Sequence, residues 1–218
     1  MAYVSGQAAL TARWAGFAEP CSGVRSYRLE LLAGGADASN ALPVWSLDVA
    51  GGASTSSAGI PASVLAANML SDGAAHHVRV VATSHAGLSS GASAPLTADA
   101  TPPGGGTISA SLGACDEATV SWSGFTDAAS GVASVRWKLG TTYGGDDLLA
   151  EVAVGGASGA GSTTRALTFD DLPFAPTAIY STLLVADAAG LVNASVRALS
   201  VPLFTCNATR NEDNVCLA

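Results

Sequence analysis

Residues 14–31 and 122–139 match at nine of eighteen positions without a gap, opening on Trp14-Ala-Gly-Phe17 and Trp122-Ser-Gly-Phe125. The offset is 108 residues. A second echo pairs Val81-Ala82…Gly87-Leu88 with Val185-Ala186…Gly190-Leu191, with 103 residues between the two glycines. A period this long marks two copies of one domain rather than a short-repeat solenoid. The 218 residues divide naturally into two domains of about 100 each, the usual domain size.

Period-two alternation predicts strands that bury one face. In the first copy Leu10, Ala12 and Trp14 alternate with Thr11 and Arg13, and in the second Ala118, Val120 and Trp122 alternate with Thr119 and Ser121. Further on, Tyr27, Leu29 and Leu31 are answered by Val135, Trp137 and Leu139. Later strands read Val78-Arg-Val80-Val-Ala82 and Thr182-Leu-Leu184-Val-Ala186. Clusters of Gly, Ser, Asp and Pro separate these runs, as turns require. One segment, Ile60–Leu70, departs from the pattern: Pro61 can open one or two helical turns there, or the segment is an irregular strand edge. Short strands with regular turn signals predict a β-sandwich.

Composition narrows the function classes. Charged residues make up 12% of the chain, and seventeen acids against nine bases give a net charge of −8. Without a Lys/Arg cluster, nucleic-acid or anionic-membrane binding is excluded, because both need a basic footprint. No run reaches the roughly 18 apolar residues of a membrane span. Met1-Ala-Tyr-Val-Ser-Gly-Gln7 is not a signal peptide. Other features point to export: Asn193-Ala-Ser195 and Asn207-Ala-Thr209 are N-glycosylation acceptor patterns. Four cysteines, Cys21, Cys115, Cys206 and Cys216, fit an oxidising compartment better than a metal site. The Ala/Gly bias suits either a glycosylated extracellular surface or a GC-rich genome.

Each copy resembles a fibronectin type III domain, within the wider immunoglobulin-like class. The residues that carry the resemblance are the lone Trp on the second strand (Trp14, Trp122) and the aromatic on the third (Tyr27, Trp137). The Leu-x-x-Gly-x-x-aromatic run leading into Val-x-Val-x-Ala adds to it. Tyr180 stands where the family keeps its tyrosine-corner residue, whose hydroxyl would bond back to the backbone. In the first copy His76 takes that place, a departure from the family, and an imidazole can make a similar bond with less reach. The resemblance implies an all-β chain of two tandem immunoglobulin-like, fibronectin type III-like sandwiches. Their expected bounds are 1–99, lacking its first strand, and 100–204, with a Cys-containing extension over 205–218. Thr107–Leu112 provides a first strand in the second copy, whereas only 13 residues precede Trp14. Either the chain is a fragment of a longer array, or a partner adds the missing strand to an open edge.

The candidate sites have bland competitors. His76 and His77 fall on opposite faces of a strand, so they cannot share a metal, and His85 stands apart. Asp99, Asp127 and Asp187 are junction candidates for calcium. No Asp-x-Asp-x-Asp-Gly loop is present, so solvated turn acids are expected, with no metal and no cofactor. No Gly-x-Ser-x-Gly elbow occurs, and Gly104-Gly-Gly106 leads into a strand rather than a phosphate-binding helix. Trp14, Trp122 and Trp137 read as core, which leaves Trp45 as the plausible exposed aromatic for a sugar platform. The implied fold puts Cys115 and Cys206 at one pole, so they can pair. Cys206–Cys216 is the rival, and Cys21 has no evident partner.

The expected function is a non-catalytic structural or adhesive module of a larger cell-surface or matrix glycoprotein. Its partners would be neighbouring modules of the same protein or other surface proteins, and any membrane attachment would come through segments outside this chain. Spacer or carbohydrate-binding modules of a secreted hydrolase, or part of a receptor ectodomain, are the alternatives. Three prolines between Ala94 and Pro103 predict an extended, stiff connection between the copies.

Overall fold

The computed structural model describes residues 2–34, 41–51, 56–68, 71–112, 117–166 and 178–199. The chain separates into a first compact unit, Met1–Thr101 with Ala128–Ser130, and a second, Pro102–Asp127 with Gly131–Ala218. In the first, β1 (Ala2–Val4), β7 (Ser89–Ala98), β6 (Ala75–Ser84), β3 (Val24–Ala33) and β4 (Pro43–Ala50) form one sheet in that spatial order. The facing sheet is only β2 (Leu10–Arg13) paired with β5 (Ser57–Ile60). In the second unit β11 (Leu149–Gly155), β10 (Val132–Gly140), β13 (Ile179–Asp187) and β14 (Val192–Leu199) form the larger sheet. Its partner is three-stranded: β12 (Gly161–Ala166), β9 (Glu117–Ser123) and β8 (Thr107–Leu112). No helix among the described residues is long and apolar enough to cross a membrane.

The alternating runs become the paired central strands. Leu29 and Leu31 on β3 pack with Val78 and Val80 on β6 in the first core, and Val135, Trp137 and Leu139 pack with Leu183 and Val185 in the second. Trp137 is fully enclosed and its Nε1 donates to Ser181 Oγ at 2.9 Å, which satisfies its one polar group. Within the segment 60–70, Ala62–Asn68 forms the helix α1: the carbonyl of Pro61 accepts from Val64 N and Leu65 N, and Leu65 is fully buried. Proline fits there because it needs no backbone donor at a helix start. The expected absence of a first strand in the first copy needs correcting. Ala2–Val4 is a short strand, but it pairs parallel with β7 (Ala2↔Leu96, Val4↔Ala98), on the sheet opposite to the one that β8 joins.

The repeated indole shows what that difference does. In the second unit Trp122 is 5% exposed. A Cβ on Gly161 would lie 2.5 Å from Trp122 Cζ2, so glycine is needed there for the ring to seat, and one on Gly155 would crowd it at 3.1 Å. Its equivalent Trp14 is only half-buried. Trp122→Ala should therefore cost about 3–5 kcal/mol, and Trp14→Ala distinctly less. Urea unfolding of the intact chain would measure both. Equal losses would mean that Trp14 is as enclosed as Trp122.

Candidate functional site

Among the described residues strand β2 pairs on one side only, with Leu10↔Ile60, Ala12↔Ala58 and Arg13↔Ser57. Trp14 N donates to Ser56 O at 2.8 Å. Ladder bonds in an antiparallel pair recur every second residue, so the backbone groups of Ala12 and Leu10 also turn toward β5. Those of Thr11 and Arg13 point outward. Beside this edge lies an open groove of about 320 Å³, lined chiefly by Leu10, Ala12, Trp14, Val78, Val80 and Leu96. Aromatic contacts hold the Trp14 end, with ring centroids 5.3 Å apart for Trp14 and Tyr27 and 5.9 Å for Phe17 and Tyr27. Arg13 is exposed at the rim.

The same positions in the second unit are covered. Strand β8 sets Ile108 opposite Trp122, Ala110 opposite Val120 and Leu112 opposite Ala118. There Ala118 and Val120 are fully buried, whereas Leu10 and Ala12 are half-buried. Reading Trp14 as core was therefore half right: the ring packs against the core but keeps an open flank. Sequence reasoning found the short leader before Trp14. It missed that the groove beside it would be apolar, because the lining comes from β6 and β7, some 65 to 80 residues downstream.

Most other candidate side chains brace backbone. His76 is buried, with Nε2 3.0 Å from Asn68 O and Nδ1 3.3 Å from Ala74 O, so it ties β6 to the end of α1. His77 turns the other way, with Nδ1 3.1 Å from Gly34 O. His85 and Cys21 are exposed. Solvated turn acids fail as a description of two aspartates: Asp99 is fully buried and Asp187 is 3% exposed. Asp99 Oδ1 accepts from Thr101 N, while Asp187 Oδ1 accepts from Leu191 N and Asp127 Oδ1 from Gly131 N. Within the second unit, Asp127 and Asp187 bring a carboxylate oxygen each to within 4.8 Å. Asn193 is half-buried on β14, where its Nδ2 donates to Pro103 O at 2.7 Å and its Oδ1 accepts from Ser195 Oγ. Trp45 is not the exposed aromatic. It is half-buried against the first core, and Tyr143, at 76% exposure, is the aromatic in the open. Cys115, Cys206, Cys216 and Asn207 lie outside the described residues.

No family model matches the sequence, and no curated protein does. Among solved structures, the FN1–FN3 domains of chicken CNTN1 align with 92% of this chain at a TM-score of 0.50 and 13% identity. The chain spans 66% of the length of that structure, just under two thirds. The fold is fibronectin type III-like, twice over. Two other structures align at lower TM-scores. A DUF3823 family protein from Bacteroides ovatus matches with TM-score 0.35, 14% identity, and coverage of 90% of this chain and 100% of that one. A 1.5-MDa bacterial ice-binding adhesin matches with TM-score 0.38, 16% identity, and coverage of 92% and 61%.

Against the fibronectin type III-like frame, the tyrosine-corner expectation is corrected for Tyr180. Its ring lies edge-on to Tyr143 with centroids 5.9 Å apart, and no backbone bond from its hydroxyl is present among the described residues. Strand parity is the reason: Ile179 and Ser181 are buried, and Tyr180 between them faces outward. His76 makes the backbone tie in the first fibronectin type III-like unit. Nearby, Asp72 accepts from Ala100 N and from Thr101 Oγ1, both at 2.6 Å, and fastens the end of that unit. The Thr101 hydroxyl and the Ala100 amide hold its carboxyl below the ordinary value of 3.8. A depressed folded value adds stability above that pH, and the gain is lost as pH falls through the folded value. Asp72→Asn should lower the melting temperature at pH 7, and the loss should shrink as pH falls below 3.8. An equal loss at pH 7 and below 3.8 would contradict this.

Proposed function

We propose that the chain is a non-catalytic structural and adhesive module pair of a larger cell-surface or matrix glycoprotein. The observation that carries this reading is the succession of two fibronectin type III-like units whose polar side chains are committed to bracing turns and strand ends. His76, Asp72, Asp127 and Asp187 each bind neighbouring backbone, and Asp147 ties to Thr141 within one loop of the second unit. The cross-strand ion pairs serve the same end. Arg28 pairs with Asp48, and its repeat equivalent Arg136 pairs with Glu151, each bridging two adjacent strands. Trp45 is half-buried against the first core, which weighs against the sugar-platform alternative.

Export is supported by the two acceptor patterns. The side-chain amide of Asn193 carries two hydrogens. A glycan on Nδ2 takes one and leaves the other for the carbonyl of Pro103, so modification and this fold are chemically compatible. Protein made by its own secretory pathway should lose mass on glycosidase treatment, and Asn193→Gln together with Asn207→Gln should abolish that loss. An unchanged mass before and after treatment would contradict the glycoprotein reading.

A further inference from the structure

We propose that the free edge of β2 is a β-augmentation site, filled by an extended segment of a partner polypeptide. That segment runs antiparallel to β2, with apolar side chains at alternate positions and an acidic residue facing Arg13. This goes beyond the structural reading above, and neither depends on the other.

The second unit supplies the template. Strand β8 lies antiparallel on β9, with Ile108, Ala110 and Leu112 facing Trp122, Val120 and Ala118. Carried across the repeat, the same strand on β2 would set three apolar side chains opposite Trp14, Ala12 and Leu10, in the groove of about 320 Å³. Its backbone would meet the outward N–H and C=O groups of Thr11 and Arg13, the unpaired row that makes an edge strand a template. Main-chain bonds would give affinity, and the alternating pockets would set register.

The residues just ahead of β2 are already committed elsewhere. Val4 is 8% exposed in the first core, and its carbonyl accepts from Asp99 N at 3.1 Å. A Cβ on Gly6 would stand 2.7 Å from the Ala66 Cα, so the chain there runs tight along α1. Residues 2–4 pair in the opposite sheet and Gly6 lies against α1, so they cannot also cover β2. Charge identifies the partner further. In the second unit the cross-strand pair at this position is Ser109 with Ser121, but the residue equivalent to Ser121 is Arg13. A carboxylate opposite that exposed guanidinium is the favourable cross-strand pair, and a second cation is the unfavourable one.

The test uses the intact chain and labelled peptides. The first reproduces residues 105–113, the second carries Asp at the position of Ser109, and the third is a scrambled control. Titration should show saturable binding of the first two, with the Asp peptide about two- to fivefold tighter at low salt. Thr11→Pro removes an outward donor without touching the bonds to β5, so the fold should survive while affinity falls at least about tenfold. Arg13→Glu should reverse the preference for the Asp peptide. Binding that is absent, matched by the scrambled peptide, or indifferent to Thr11→Pro would overturn the proposal. Self-association that Thr11→Pro abolishes would give the edge to a second copy instead. Slow exchange of the Thr11 and Arg13 amides in protein purified from its source, with no partner bound, would mean that the edge is filled in cis. Either result would overturn the assignment to a partner.

Discussion

An indole between two sheets organises each half of this molecule, and it needs apolar cover from both sides. Trp122 has that cover. Gly155 on the facing sheet and Gly161 on the neighbouring strand β12 leave room for the ring, and β8 shields the flank, so Val120 and Ala118 beside it are fully buried. Trp14 closes the equivalent strand of the same fold, with Tyr27 packed against it and Phe17 against Tyr27, but among the described residues no strand lies beyond β2. The contrast between one closed and one open sandwich, built from one repeated sequence, follows from where the first strand goes. In the first unit it joins β7, and in the second it joins β9.

The repeat made the fold legible because identical spacing of Trp, Gly and alternating apolar residues demands one architecture in both copies. The helix at Ala62–Asn68 was one of two readings the sequence left open, because Pro61 fits both a helix start and a strand edge. What stayed hidden depended on tertiary register. Tyr180 occupies the family's corner position in sequence, yet the pleat turns it outward beside Tyr143. Trp45 read as a free aromatic because its strand has weak alternation, and only the pairing of Leu31 with Trp45 brings it to the core. Asp99 and Asp187 looked like solvated turn acids because sequence reports residue type and not depth.

Several carboxylates among the described residues are tied to neighbouring backbone amides and hydroxyls. A carboxylate that accepts from amides or hydroxyls in its own turn, as Asp72, Asp127, Asp147 and Asp187 do, stiffens the ends of strands. The part-buried Arg79–Glu30 pair crosses β6 and β3, where adjacent strands already hold the two side chains in place. Such groups are poor candidates for reacting with a substrate. They are well suited to keeping a small sandwich rigid, and a rigid sheet edge is what strand addition needs.

Amide hydrogen exchange on the 218-residue chain tests the central contrast most directly. Strand β9 is flanked on both sides, so Thr119 and Ser121 should be strongly protected, whereas their repeat equivalents Thr11 and Arg13 should exchange orders of magnitude faster while Ala12 is slowed by β5. Comparable protection of Thr11 and Thr119 in the isolated chain would contradict an open first sandwich.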